Sequence, residues 1–78
     1  MPVLRLFAGA REAAGTARDD MPGATVAEVL MNARARYGSG FEAVLERCRI
    51  WVDGEPAAES TPVTAASEVA VLPPVSGG

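Results

Sequence analysis

The chain has no histidine and no lysine, and Cys48 is its only cysteine. Without histidine there is no imidazole to carry acid–base work near neutral pH, and no Cys/His set to hold a metal. One cysteine excludes an intramolecular disulfide, and Cys48 reads as a small packing residue rather than a sulfur relay. The lack of lysine means that an acylating group on this chain would find no lysine of its own to modify. Aromatic side chains are few: Phe7, Tyr37, Phe41 and Trp51. A core built mostly of Val, Leu and Ala then leaves little room for an enclosed ligand cavity. No apolar run approaches the roughly 18 residues of a membrane span. The opening Met1-Pro2-Val3-Leu4-Arg5 lacks the basic start and long apolar stretch of a signal peptide, so the expected compartment is the cytoplasm. The net charge of −3 comes with no evident basic stripe, so no nucleic-acid partner is expected.

What is present is one small domain of 78 residues, 49% hydrophobic, which is too apolar for a disordered chain. A chain of this size buries only about 60% of its unfolded surface, so its stability should be modest. Residues 2–8 read as a strand, with Leu4, Leu6 and Ala8 on one face and Val3, Arg5 and Phe7 on the other. Residues 9–15 read as a glycine-bounded loop with room for one helical turn. Residues 16–21 form a weak strand candidate, closed by the Pro22-Gly23 turn.

The clearest element is a helix over 26–37. Thr25 and Glu28 form a Thr-x-x-Glu capping box, and Val26, Val29, Leu30, Ala33 and Tyr37 make its buried stripe. Arg34 and Arg36 suit its C-terminal end, and Gly38 is a natural left-handed cap. A short second helix over 41–47 should turn Phe41, Val44 and Leu45 inward. A strand over 49–52 meets Asp53-Gly54, a strong hairpin turn, and Pro56 limits the returning strand. Residues 57–67 read as irregular, and 68–72 as the last strand, ended by Pro73-Pro74. One amphipathic helix covers one face of a small sheet, so the class is α+β. Residues 1–72 are expected to form the domain and 73–78 a flexible tail.

The tail, Pro73-Pro74-Val75-Ser76-Gly77-Gly78, carries the most specific chemistry. Gly77 and Gly78 have no Cβ, so this stretch is thin enough to enter a narrow channel. Pro73 and Pro74 hold extended conformations and lower the ordering cost of insertion. From Pro73 to Gly78 the arm spans about 18–20 Å, enough for the body to dock outside a site while the tip reacts within it. No side chain offers a comparable handle, so the candidate reactive group is the C-terminal carboxylate of Gly78.

Taken together, Leu6-Phe7-Ala8, Arg11-Glu12-Ala13-Ala14-Gly15, the capped helix, Val52-Asp53-Gly54-Glu55 and the run from Glu68 to Gly78 resemble the small subunit of molybdopterin synthase. This is the MoaD branch of the MoaD/ThiS ubiquitin-like sulfur carriers. The resemblance implies a β-grasp fold in which the first and last strands lie parallel at the centre of the sheet. It implies that an E1-like adenylyltransferase uses ATP and Mg²⁺ to adenylate Gly78, and that a sulfur donor then converts the acyl-adenylate to a thiocarboxylate. The loaded tail would enter the large synthase subunit and give its sulfur to a pyranopterin precursor. The chain itself would bind no cofactor and no metal, and would be the non-catalytic, sulfur-donating subunit. Two turns depart from the family pattern: Asp53 stands where Asn is frequent, and Ala65-Ala66-Ser67-Glu68 stands where Asp-Gly-Asp-Glu is frequent.

Docking requires a surface. Phe7 and Leu72 are expected to form an apolar patch beside the tail, with Trp51 on the same open face of the sheet. Arg11 and Glu12 fit either a partner contact or pairing within their own loop. Three other functions stay open at the level of sequence: a sulfur carrier for thiazole or cysteine synthesis, a ubiquitin-like modifier joined through Gly78 to other proteins, and a plain β-grasp interaction module.

Overall fold

The computed structural model describes residues 1–74; Val75, Ser76, Gly77 and Gly78 lie outside the described residues. Its elements run in the order β1 (Val3–Leu6), α1 (Ala8–Ala14), β2 (Arg18–Asp20), α2 (Val26–Tyr37), α3 (Ser39–Leu45), β3 (Arg49–Val52), β4 (Glu55–Pro56) and β5 (Glu68–Leu72). The five strands form one sheet in the order β2-β1-β5-β3-β4. The central pair β1 and β5 is parallel, and the other pairs are antiparallel. This is the expected ubiquitin-like β-grasp.

The core forms where α2 and α3 cover one face of the sheet. Leu4 and Leu6 from β1 and Val69 and Val71 from β5 are buried against Val26, Val29, Leu30 and Ala33 of α2 and Phe41 and Leu45 of α3. Alternation along β1 and β5 explains why every second residue is buried. Each fully buried Val or Leu contributes about 1.5–3 kcal/mol. Tyr37 is half-buried and meets Phe41 edge to face, with ring centroids 5.1 Å apart at 64°.

The capping box forms with a shift of one residue. Thr25 Oγ1 accepts from the Glu28 N–H at 3.2 Å, as expected. The Glu28 carboxylate, however, accepts from the N–H of Ala24 at 3.1 Å, one residue before the cap. Gly23 sits below this turn because a Cβ there would lie 2.6 Å from the Val29 nitrogen.

Three sequence expectations are corrected. The first strand ends at Leu6, and Ala8 is exposed rather than sharing the Leu4 and Leu6 face. Residues 9–15 are not a loop: Ala8–Ala14 is a helix that buries Ala10 and packs on α3. It has no side-chain N-cap, so nothing marks its start in sequence. Its end is marked by Gly15, whose left-handed conformation (φ 78°, ψ 12°) lets its N–H reach the Arg11 carbonyl. Gly38 caps α2 at φ 92° and ψ −173°, a positive φ but not the left-handed helical region.

The short edge strand β2 is held to α2 by a polar cluster. Tyr37 Oη donates to Asp19 Oδ2 at 2.5 Å, and Arg36 Nη1 lies 3.0 Å from the same oxygen. The Tyr37 hydroxyl, with help from Arg36, holds the Asp19 carboxyl below its ordinary value of 3.8. Burial, together with the Asp19 carboxylate, raises Tyr37 above the usual phenol range, so it remains a donor. A carboxyl depressed in the native state stabilises fully above its unfolded value. That contribution fades as pH falls below about 3.8 and through the lowered native value. Tyr37→Phe is therefore expected to cost about 1 kcal/mol at pH 7 by urea titration, and the gap should narrow as the pH is lowered through this acid range. An equal gap at pH 7 and in acid would remove Asp19 as the cause.

Candidate functional site

The site is the end of β5 and what surrounds it. Because β5 lies between β1 and β3, the chain leaves the sheet from its centre rather than from an edge. Leu72 pairs with Arg49, and the Phe7 N–H donates to the Val71 carbonyl at 3.2 Å. Pro73 and Pro74 follow, exposed and outside any regular element. Neither can donate to a neighbouring strand, so the ladder ends here. Ala43 and Val44 of α3 and Arg47 just after it line an open groove of about 380 Å³ with Pro74.

The open face of the sheet adjoins this root. Ala70 pairs with both Arg5 and Trp51, which places these three side chains together on the face opposite Leu4, Val69 and Val71. Ile50 and Val52 instead pack against the core. Phe7 lies beyond β1 but keeps an extended backbone (φ −124°, ψ 152°), so its side chain still follows the strand alternation. The Arg5 guanidinium carbon sits 5.7 Å from the centroid of the Phe7 ring, and Arg5 Nη1 lies 3.5 Å from Glu68 Oε2.

The structure thus places Phe7, Leu72 and Trp51 on one face, with Phe7 and Leu72 beside the tail root and Trp51 one row further away. Only Phe7, 36% accessible, is well exposed; Leu72, Trp51 and Ala70 are half-buried. The patch is therefore less exposed than the sequence suggested.

Other candidates resolve simply. The half-buried Cys48 thiol donates to the Val44 carbonyl at 3.3 Å, and burial raises its pKa. A protonated, engaged thiol is a packing group and a poor nucleophile. Arg11 and Glu12 are exposed and form no ion pair among the described residues. No cluster of three or more metal-ligating side chains exists among the described residues. No helix among them is long and apolar enough to cross a membrane.

Sequence reasoning read Asp53 only as part of a hairpin turn and missed its second role. Asp53 Oδ1 accepts from the Glu68 N–H at 2.9 Å, and the Asp53 N–H donates to the Glu68 carbonyl at 3.0 Å. The β3–β4 turn thereby fixes where β5 begins, and so where it ends. An Asn at this position would offer the same acceptor oxygen, which explains why Asp serves equally well here. Asp53 (φ 49°) and Gly54 (φ 84°) both take the positive φ that a type I′ turn requires.

The ThiS family model matches residues 4–78, which spans the capped helix, the central strands and the terminal diglycine. The chain belongs to the ThiS family. A crystal structure of SAMP1 from Haloferax volcanii is similar, with 31% identity, a TM-score of 0.79 and coverage of 97% of each chain. A chain of the Amycolatopsis orientalis BexX/CysO complex shares the fold at 21% identity and a TM-score of 0.83, with full coverage of both chains. So does a chain from the complex of subunits 1 and 2 of the molybdopterin-converting factor of Helicobacter pylori, at 21% identity and a TM-score of 0.68, covering 97% of this chain and 96% of that one. No curated protein matches. This ThiS-family member is a ubiquitin-like sulfur carrier by family, and two of these structural neighbours were solved bound to another protein.

Proposed function

We propose that this ThiS-family chain carries sulfur on the Gly78 carboxylate for molybdopterin synthesis. The observation that supports this most is a family match running through Gly78, on a fold whose central strand delivers Pro73-Pro74 to the surface. A carboxylate resists attack until it acquires a leaving group. Its oxygen attacks the α-phosphate of ATP held with Mg²⁺ by an E1-like adenylyltransferase, and pyrophosphate departs. The terminal sulfur of a persulfide on the donor protein then attacks the acyl carbon and AMP leaves, giving an acyl disulfide; a second thiol cleaves its S–S bond, ends in a disulfide with the donor cysteine, and frees the C-terminal thiocarboxylate. The large subunit of molybdopterin synthase takes the loaded tail, and sulfur passes to the pyranopterin precursor. Gly77 and Gly78 make the tip narrow, while Val75 and Ser76 extend it beyond the prolines. Phe7, Leu72 and Trp51 supply the apolar docking contacts, and the carrier contributes the atom rather than the catalytic side chains.

Intact-mass spectrometry of protein isolated from its native host tests this. Replacement of one terminal oxygen by sulfur adds about 16 Da, and the increment should vanish on mild hydrolysis. Protein isolated under sulfur-replete conditions with no such species would refute the reading.

A second reading has one observation in its favour. The Haloferax volcanii neighbour at 31% identity is a small archaeal modifier protein. The same activated tail could join lysines of other proteins by amide bonds. Denaturing gels separate the two functions, because only a modifier yields ladders that survive both denaturant and thiol.

A further inference from the structure

The open face of the sheet is graded in charge along the direction of β5. Strand register sets its side chains in rows. The row farthest from Pro73 holds Asp20, Val3 and Glu68. The middle row runs Arg18, Arg5, Ala70, Trp51 and Pro56. The row at the tail root pairs Leu72 with Arg49, and Phe7 flanks it. The acids on these rows are thus all in the far one, and the arginines are all in the two nearer the tail.

This arrangement does not satisfy itself. Arg5 and Arg18 are direct antiparallel partners, a like-charge pairing that disfavours the sheet. Arg5 has a distant, solvated partner in Glu68 at 3.5 Å. Arg18 and Arg49 are exposed and make no ion pair among the described residues. A face adapted only to solvent would intersperse its signs. This one gathers cations around half-buried apolar groups, the composition of a protein-docking centre.

The geometry points to a tail-accepting partner that presents carboxylates around the mouth of its tail channel, with an apolar centre for Phe7, Leu72 and Trp51. This rests on the carrier reading above. The charge of the whole chain, −3, would instead favour a basic partner. Local complementarity overrules it because charges more than about 8–10 Å apart are screened at physiological salt. An acidic rim fits over Arg18 and Arg49, which have no carboxylate paired with them among the described residues, whereas Arg5 already holds Glu68 at 3.5 Å.

The test is carrier-dependent ATP–pyrophosphate exchange catalysed by the adenylating enzyme of the same organism. Arg49→Glu and Arg18→Glu are each expected to raise the KM for the carrier about tenfold with kcat unchanged, since rim charges act on encounter. Added salt should raise the wild-type KM and flatten these differences. Asp20→Asn should not raise it. Thermal melts should show no loss of stability for any variant, because the substituted side chains are exposed, and Arg18→Glu should melt slightly higher because it removes the like-charge pairing with Arg5; the KM of Arg49→Gln should fall between those of wild type and Arg49→Glu. Exchange with a KM indifferent to salt and to reversal, or tightened by it, overturns the acidic-partner inference alone. No exchange with the wild-type chain overturns the carrier reading, and the inference with it.

Discussion

Deletion of Gly78 is expected to lower sulfur transfer at least about 100-fold in a reconstituted system, because withdrawing the reacting carboxyl by one residue misplaces it by far more than the roughly 1 Å that already costs a factor of this size. Appending one residue after Gly78 should be as damaging, since it moves the carboxyl the other way. Neither change touches the described core, so urea midpoints should agree with the wild type to within about 0.5 kcal/mol. This pairing of outcomes separates the function from the fold. A plain interaction module would tolerate both changes. Full activity of either variant would show that the terminal carboxyl is not the carrier group, whatever the rest of the chain binds.

Phe41→Ala is expected to have the largest effect on stability. Phe41 is fully buried and is the largest side chain of the core. It anchors α3 under the sheet and receives Tyr37 on its ring. Removing such a ring costs about 3–5 kcal/mol through lost transfer energy and the cavity left behind. A domain of this length has in total roughly 4–12 kcal/mol, at about 0.05–0.15 kcal/mol per residue. The variant should therefore melt some 15–30 °C lower, at about 4–8 °C per kcal/mol for a small domain. Because α3 also lines the groove at Pro74, the loss should reach the tail root before the distant hairpin. Amide exchange near Val44 and Arg47 would accelerate more than at Asp53. A change in melting of only a few degrees would mean that the core collapses onto the vacated volume.

Much of the architecture was legible along the chain because it is encoded locally. The stripe from Val26 to Ala33 repeats at helical spacing, so α2 could be placed to the residue. Asp53-Gly54 imposes its turn through backbone conformation alone. Alternation in Glu68–Leu72 marks β5 as a strand with one buried face. The helix α1 escaped because Phe7 provides no side-chain cap and because it packs mainly on α3, some thirty residues away. The Glu28 contact with Ala24 and the bond of Asp53 to Glu68 depend on backbone placement that spacing does not report. The Tyr37–Asp19 bond spans 18 residues and joins a helix to an edge strand, which no local pattern announces.

The candidate site divides in the same way. Sequence by itself determined that Pro73-Pro74 and Gly77-Gly78 follow the last strand and that the chain has no lysine or histidine, because these are properties of residue type. It also determined which strand leads into that segment. Tertiary structure alone decided that Arg5, Arg18 and Arg49 gather on the side of the sheet nearest the tail while Asp20 and Glu68 fall on the far side. Those residues come from four strands distributed across the chain. Their neighbourhood is set by hydrogen-bond register, and a shift of a single residue would turn each side chain to the opposite face.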